Sequence, residues 1–407
     1  MEPRPSSDPT QPSRLAAMAV TLCGLCAFLE LYCTQPLLPL LTHLFHASKT
    51  GVGMTVSAST LGVALAAPFI GVLTERLPRK TVIVCSLTGI ALPTLLAATS
   101  NSLAQLIFWR FLQGIMVPGI VAVVVTYIGE EWPPQRVALI MSFYVSGTAL
   151  GGFIGRISAG LLTEWTNWRW SFVALGTAAL VGAGLVALWL PKSRRAAPPP
   201  ARVSGESSTL ALTYQVQGLF RNRRLVATFA VGFNVLFSLV GVFTWITFHL
   251  NAAPFNLGTA ALSSLFFVYL IGLVVTPLAG FVITRVGLRA GIGGAICVSI
   301  CGVLLTLVPW LPVVILGLAM LSSGVFIAQT ASQSHLRVAA PAGARVTAAG
   351  LYLTCYYLGG TAAGVAPGFF WSLGKWPACA AFIVGMQLIA LSIALLGWRT
   401  PRAEVHA

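Results

Sequence analysis

Gly71-Val72-Leu73-Thr74-Glu75-Arg76-Leu77-Pro78-Arg79-Lys80 follows the second long apolar run of this 407-residue chain, and Gly280-Phe281-Val282-Ile283-Thr284-Arg285-Val286-Gly287-Leu288-Arg289 follows the eighth, 209 residues later. Two more features recur at nearly that distance. Gly147, Gly151 and Gly155 match Gly360, Gly364 and Gly368 at 213 residues, and Gly114 matches Gly324 at 210. One coincidence would mean little, but three at one spacing indicate two homologous halves. Six runs per half is an even number, so both halves enter the bilayer in the same orientation, with a pathway between them.

Composition sets the environment. Hydrophobic residues make up 57% of the chain and charged residues 8%, and the mean hydropathy is +0.87. A soluble domain averages about 25% charged residues, so this chain cannot cover a surface in water. A spanning helix needs about 20 apolar residues, and twelve such runs leave no room for an appended catalytic domain. Breaks at polar or Gly/Pro-rich points predict spans at 15–40, 52–73, 82–99, 103–128, 137–162, 171–190, 226–249, 262–284, 290–309, 311–334, 346–371 and 377–398. The expected fold class is an all-α membrane protein: a six-helix half over 15–190, a polar linker at 191–225 containing Pro198-Pro199-Pro200, and a second six-helix half over 226–398. The run from Leu15 to Leu41 is too long for a signal-peptide core and reads as a retained first span.

The net charge of +15 would suggest nucleic acid in a soluble protein, but here the positions of the bases decide. With both tails at 1–14 and 399–407 inside, the inner segments hold 19 Lys and Arg, whereas the outer loops hold only Lys49, Arg169 and Lys375. That bias predicts cytoplasmic termini and removes the reason to expect a nucleic-acid partner. The eight cysteines lie in apolar runs without a second pair or a His cluster at ligand spacing, so neither a metal nor a redox cofactor is expected. His43, His46, His249, His335 and His406 read as loop or tail residues. There is no phosphate-binding Gly-rich loop for ATP.

Three short motifs carry a family resemblance that covers nearly the whole chain. The loop Gly71 to Lys80 is similar to the Gly-x-x-x-Asp-Arg-x-Gly-Arg-Lys/Arg loop of the major facilitator superfamily, with Glu75 for the Asp and Pro78 for the second Gly. Arg110-Phe111-Leu112-Gln113-Gly114 resembles that family's Arg-x-x-Gln-Gly motif in span four. Gly147 to Gly155 resembles the Gly-x-x-x-Gly-Pro-x-x-Gly signature of the twelve-span drug/proton antiporters, with Gly152 for the Pro. Tyr32-Cys33-Thr34-Gln35-Pro36-Leu37-Leu38-Pro39 is similar to the YnfM and arabinose-efflux group. The resemblance implies a secondary transporter of the bacterial inner membrane, coupled to protons and working as a monomer.

Of nine acids, only Glu30 falls inside a predicted span; Glu130, Glu131 and Glu164 read as loop residues. An ionised side chain near the bilayer centre costs at least about 2.5–3.5 kcal/mol, which makes such a residue a functional candidate. Glu30 is therefore the expected proton carrier, and Arg110, at comparable depth, its expected ion-pair partner, a role the resemblance also implies. Arg156 has two readings, snorkelling to the outer interface or facing the cavity. Gly147, Gly151 and Gly155 share a helix face and allow close helix approach. Gly71, Glu75, Arg76, Arg79 and Lys80 are expected either to form contacts that hold the outward-open state or to act only in topology.

The second half has no intramembrane charge, so substrate contacts are expected there, from Asn234, Gln329, Gln333, Tyr352 and Tyr356, with Gln113 from the first half. An apolar, aromatic lining suits amphipathic or lipophilic compounds better than sugars, which need many hydrogen-bond partners. Sugar efflux, proton-driven uptake and a non-transporting receptor or scaffold are the alternatives.

Overall fold

The backbone has no water in the bilayer to satisfy it, so a chain of this composition must pair its peptide groups within helices. The computed structural model, which describes residues 14–70, 77–192, 216–341 and 344–398, has helices joined by short turns and no strand among those residues. Twelve spans run through it, in two six-helix halves. In the first half, span one comprises Arg14–Leu29, Gln35–Leu37 and Leu38–Leu44. Spans two to six are Lys49–Phe69, Arg79–Ala97, Leu103–Glu131, Pro134–Trp165 and Trp168–Trp189. In the second half, spans seven to ten are Arg223–Asn251, Thr259–Val286, Leu288–Leu305 and Leu311–Ala339. Spans eleven and twelve share the run Arg345–Gly397, which is broken at Gly374 and Lys375, where Lys375 has φ 52°.

Several helices extend past the limits expected from hydropathy, because polar residues cap them. Ser48, Ser102, Asn167 and Asn222 each accept backbone N–H bonds at a helix start, which satisfies donors that would otherwise be orphaned. Spans four and five also run past the expected limits at their C-terminal ends, which corrects several expectations. Glu130 and Glu131 lie in the last turn of span four and Glu164 in the last turn of span five, not in loops. His43, His249 and His335 are helical as well. His335 is buried, bonds Thr228 Oγ1 at 2.8 Å and stacks on Trp398 at 4.1 Å.

The largest departure is in span one. Its predicted continuous helix breaks into turns over 30–34, ahead of Pro36 and Pro39. Proline has no N–H to donate, and the backbone there tightens to three-residue bonds, Cys33 N to Glu30 O and Gln35 N to Tyr32 O.

The halves meet at the end that carries Lys49. Span two lies against span eleven, where Ser57 Oγ donates to Thr361 O at 2.6 Å and Thr361 Oγ1 to Thr60 Oγ1 at 3.1 Å. The contact is nearly backbone to backbone: a Cβ built on Gly53 would land on Gly364 O. Span five meets span eight through Phe153 and Phe267, with ring centroids 4.8 Å apart, and through Ala260 N donating to Glu164 Oε2. Lys49 Nζ sits 4.4 Å from the Trp371 ring, so it bridges the halves too.

Gly147, Gly151 and Gly155 play a different part. Added Cβ atoms there would meet the backbone of Thr21, Leu25 and Leu29, so this face seats span five on span one of its own half. The equivalent glycines of span eleven, Gly364 and Gly368, instead lie against Ser57 and Thr50 of the opposite half.

Candidate functional site

The break in span one frees backbone carbonyls inside the protein, and the nearest buried cation takes them up. Arg110 is completely buried on span four. Its Nη1 donates to the Glu30 carbonyl oxygen at 2.6 Å, its Nη2 to the Leu31 carbonyl and to Ser59 Oγ, and its Nε to Thr55 O at 3.2 Å. Nη1 also donates to Gln113 Oε1 at 2.6 Å. Arg110 thus holds the main chain of Glu30, and no ion pair to the Glu30 carboxylate forms. The reason is local: carbonyls left open by the break compete for the same guanidinium, and a fork of five donors can serve several at once.

The Glu30 side chain, also completely buried, turns elsewhere. Thr94 Oγ1 of span three donates to Glu30 Oε2, and Gln113 Nε2 donates to the same hydroxyl. Glu30 Oε1 has no hydrogen-bond partner among the described residues. Because Arg110 fixes the Gln113 amide with its oxygen toward the guanidinium, the Gln113 nitrogen must face Thr94. The Thr94 hydroxyl is also 2.8 Å from Ile90 O, and its single hydrogen cannot serve two acceptors. With Glu30 ionised, that hydrogen points to the carboxylate. With Glu30 protonated, the carboxyl donates to Thr94, whose own O–H turns to donate to Ile90 O. Both protonation states therefore fit one backbone by rotation of one hydroxyl.

Arg156 does not snorkel. It is 2% exposed and faces the seam between the halves. Nε donates to Gln35 Oε1 at 2.8 Å and Nη1 to Gly152 O at 2.6 Å. Gln35 in turn donates to Thr244 Oγ1 of span seven at 3.1 Å, which ties the break in span one to the second half. Three rings surround the guanidinium, Tyr32 at 4.7 Å, Phe266 at 4.9 Å and Tyr269 at 4.6 Å.

The other predicted residues scatter. Gln113 belongs to the Glu30 network and is 1% exposed. Asn234 is turned into its own half, where it lines a water-sized cavity with Ser299, Gly324 and Gln387 and accepts from Ser238 Oγ. Span seven is buried on nearly all sides, and at Asn234 the neighbours are those of its own half, whereas Thr244 on the same helix meets the first half. Tyr352 is likewise internal, bonded to Ser332 Oγ at 2.7 Å, with Tyr356 stacked beside it at 6.2 Å. Gln329 is half-buried and Gln333 exposed. In the loop motif, Gly71, Glu75 and Arg76 lie outside the described residues. Arg79 opens span three and pairs with Glu130 of its own half at 3.3 Å, while Lys80 follows it in the first turn, half-buried. Thr94, Gln35, Tyr32, Phe266 and Tyr269 were not predicted as site residues.

Two six-span halves closed at one end, a broken helix and buried charges beside the seam define a polytopic membrane transporter. The chain belongs to the Major Facilitator Superfamily, whose family model matches residues 20–364. It is 34% identical over 390 residues to the inner membrane transport protein YnfM of Escherichia coli K12, covering 96% of this chain and 91% of that one. An uncharacterized transporter of Buchnera aphidicola from Schizaphis graminum is 32% identical over 378 residues, covering 93% and 90%. The fold is shared with a bacterial homologue of the human lysosomal transporter Spinster, solved inward-facing and unoccupied, with a TM-score of 0.73, 16% identity, and coverage of 96% of this chain and 93% of that one.

Proposed function

We propose that this chain is a proton-coupled secondary transporter that exports small amphipathic or lipophilic compounds across a bacterial inner membrane by alternating access, acting as a monomer with both termini cytoplasmic. The observation that carries the reading is the Glu30 carboxyl, buried at the break of span one and hydrogen-bonded to a hydroxyl that can serve it in either protonation state. The bias of basic residues makes the Lys49 end the outer face, so the closed seam between spans two and eleven is the outer gate. Proton exchange at Glu30 is felt by span one, whose broken backbone is held by Arg110 and whose Gln35 reaches the second half. Arg110 acts as a fixed charge that holds the break in place, because guanidinium does not give up its proton. The substrate lies between the halves, near Tyr32, Phe266 and Tyr269.

The test is substrate-triggered proton movement in everted vesicles across lipophilic cations, neutral drugs, organic acids and sugars. Glu30→Gln is expected to abolish it while leaving the protein folded and membrane-inserted. Wild-type proton movement in Glu30→Gln would remove Glu30 from the coupling, and selective movement with sugars would favour sugar efflux.

A further inference from the structure

Two buried arginines lie close to the seam, and their donors are spent very differently. Neither has an acid within ion-pair distance among the described residues. Arg110 bonds through all three of its nitrogens, onto carbonyls, an amide oxygen and a hydroxyl. Arg156 bonds through Nε and Nη1 only, and its Nη2 has no hydrogen-bond partner among the described residues. A buried cation without a counter-charge is costly, and ring faces replace only part of the lost hydration.

The unused edge is not isolated. Tyr269 lies 4.6 Å from the guanidinium by its ring centroid, and its Oη is buried without a hydrogen-bond partner. A guanidinium with an unspent nitrogen on span five therefore lies over the ring of a phenol with an unspent hydroxyl on span eight, across the seam and flanked by the Tyr32 and Phe266 rings. A planar oxyanion satisfies both, taking N–H donors from Arg156 and the O–H of Tyr269, and it supplies the missing charge. The rings accommodate an apolar body attached to it.

We propose that Arg156 and Tyr269 form an anionic subsite that takes the carboxylate of an amphipathic organic acid. This rests on the substrate lying between the halves, and it narrows the substrate class from amphipathic compounds in general to those bearing an acid.

The experiment measures binding to the purified full-length protein in nanodiscs, by thermal unfolding over a concentration series of 1-naphthoate and of 1-naphthamide, which has the same body without the charge. Charge-assisted hydrogen bonds are worth about 1.5–3 kcal/mol, so the acid is expected to bind at least about tenfold more tightly than the amide. Arg156→Gln is expected to erase that preference, Arg156→Lys and Tyr269→Phe to weaken it, and Glu30→Gln to keep it. Equal binding of the two compounds by the wild type, or no binding of either, overturns the proposal, as does a preference that survives in a folded Arg156→Gln. The wild-type comparison decides even if the variant fails to fold. Loss of proton movement in Glu30→Gln together with no preference for the acid would sink this subsite and leave the transport reading standing. Preference for the acid with proton movement intact in Glu30→Gln would keep this subsite and remove Glu30 from the coupling, and preference for the acid with no proton movement in the wild type would sink the coupled-transport reading alone.

Discussion

At the scale of the residue, Thr94 is the side chain on which the Glu30 carboxyl depends. It supplies the hydrogen bond to Oε2, while Oε1 has none among the described residues. Leaving a buried polar group unsatisfied costs about 1–3 kcal/mol. Thr94→Val should therefore lower the unfolding midpoint of the protein in detergent and slow substrate-triggered proton movement, and Thr94→Ser, which keeps the hydroxyl, should restore both. Unchanged proton movement in Thr94→Val would show that the hydroxyl is not needed for coupling. Glu30 stood out in the chain alone as the one acid inside the twelve expected spans, and its burial could be expected from that. Thr94 was not readable: a threonine in a span usually bonds the carbonyl four residues back, as Thr94 also does with Ile90, and nothing in its neighbours marks it as different. Gln35 belongs to the string Tyr32 to Pro39, but nothing in that string gave its contacts, since its partners Arg156 and Thr244 lie 121 and 209 residues away.

At the scale of the element, the twelve spans were legible because hydropathy and the bilayer thickness leave few options for the chain. The break in span one was not read, although Pro36 and Pro39 announced it: neither has an N–H to give to the helix ladder. Depth alone suggested a Glu30–Arg110 ion pair, but the break redirected the guanidinium to the main chain, a competition visible only once the helix is seen to stop. The glycines of span five were legible as a packing face but not as to which neighbour they seat. An added Cβ at Gly151 would fall on the Leu25 backbone, whereas Gly184 in span six has open space. Gly151→Leu is expected to destabilise the protein by at least the 1–3 kcal/mol typical of overpacking, read as a lower unfolding midpoint and reduced yield in the membrane. Gly184→Ala should be neutral in the same assay. A normal midpoint for Gly151→Leu would mean that spans one and five are not packed backbone to backbone.

At the scale of the whole molecule, alternating access requires the seam between spans two and eleven to part. Thr60 and Thr361 touch across it through their side-chain oxygens, so a cysteine pair at these two positions should form a disulfide under oxidant. Transport is expected to stop on oxidation of Thr60→Cys/Thr361→Cys and to return with reductant, while oxidant leaves the wild type, with its own cysteines, unaffected. Full transport by the cross-linked protein would show that this seam stays shut throughout the cycle.

The two halves also differ in what they carry. Glu30, Arg110 and Arg156 are all in the first, whereas the second has its Lys and Arg residues at helix ends among the described residues. A membrane potential exerts about 2.3 kcal/mol per elementary charge per 100 mV across the full bilayer, so the field has its grip on one lobe and almost none on the other. The second lobe is electrically an idle counterweight, and the voltage sensitivity that the protein's own side chains contribute to turnover belongs to the first.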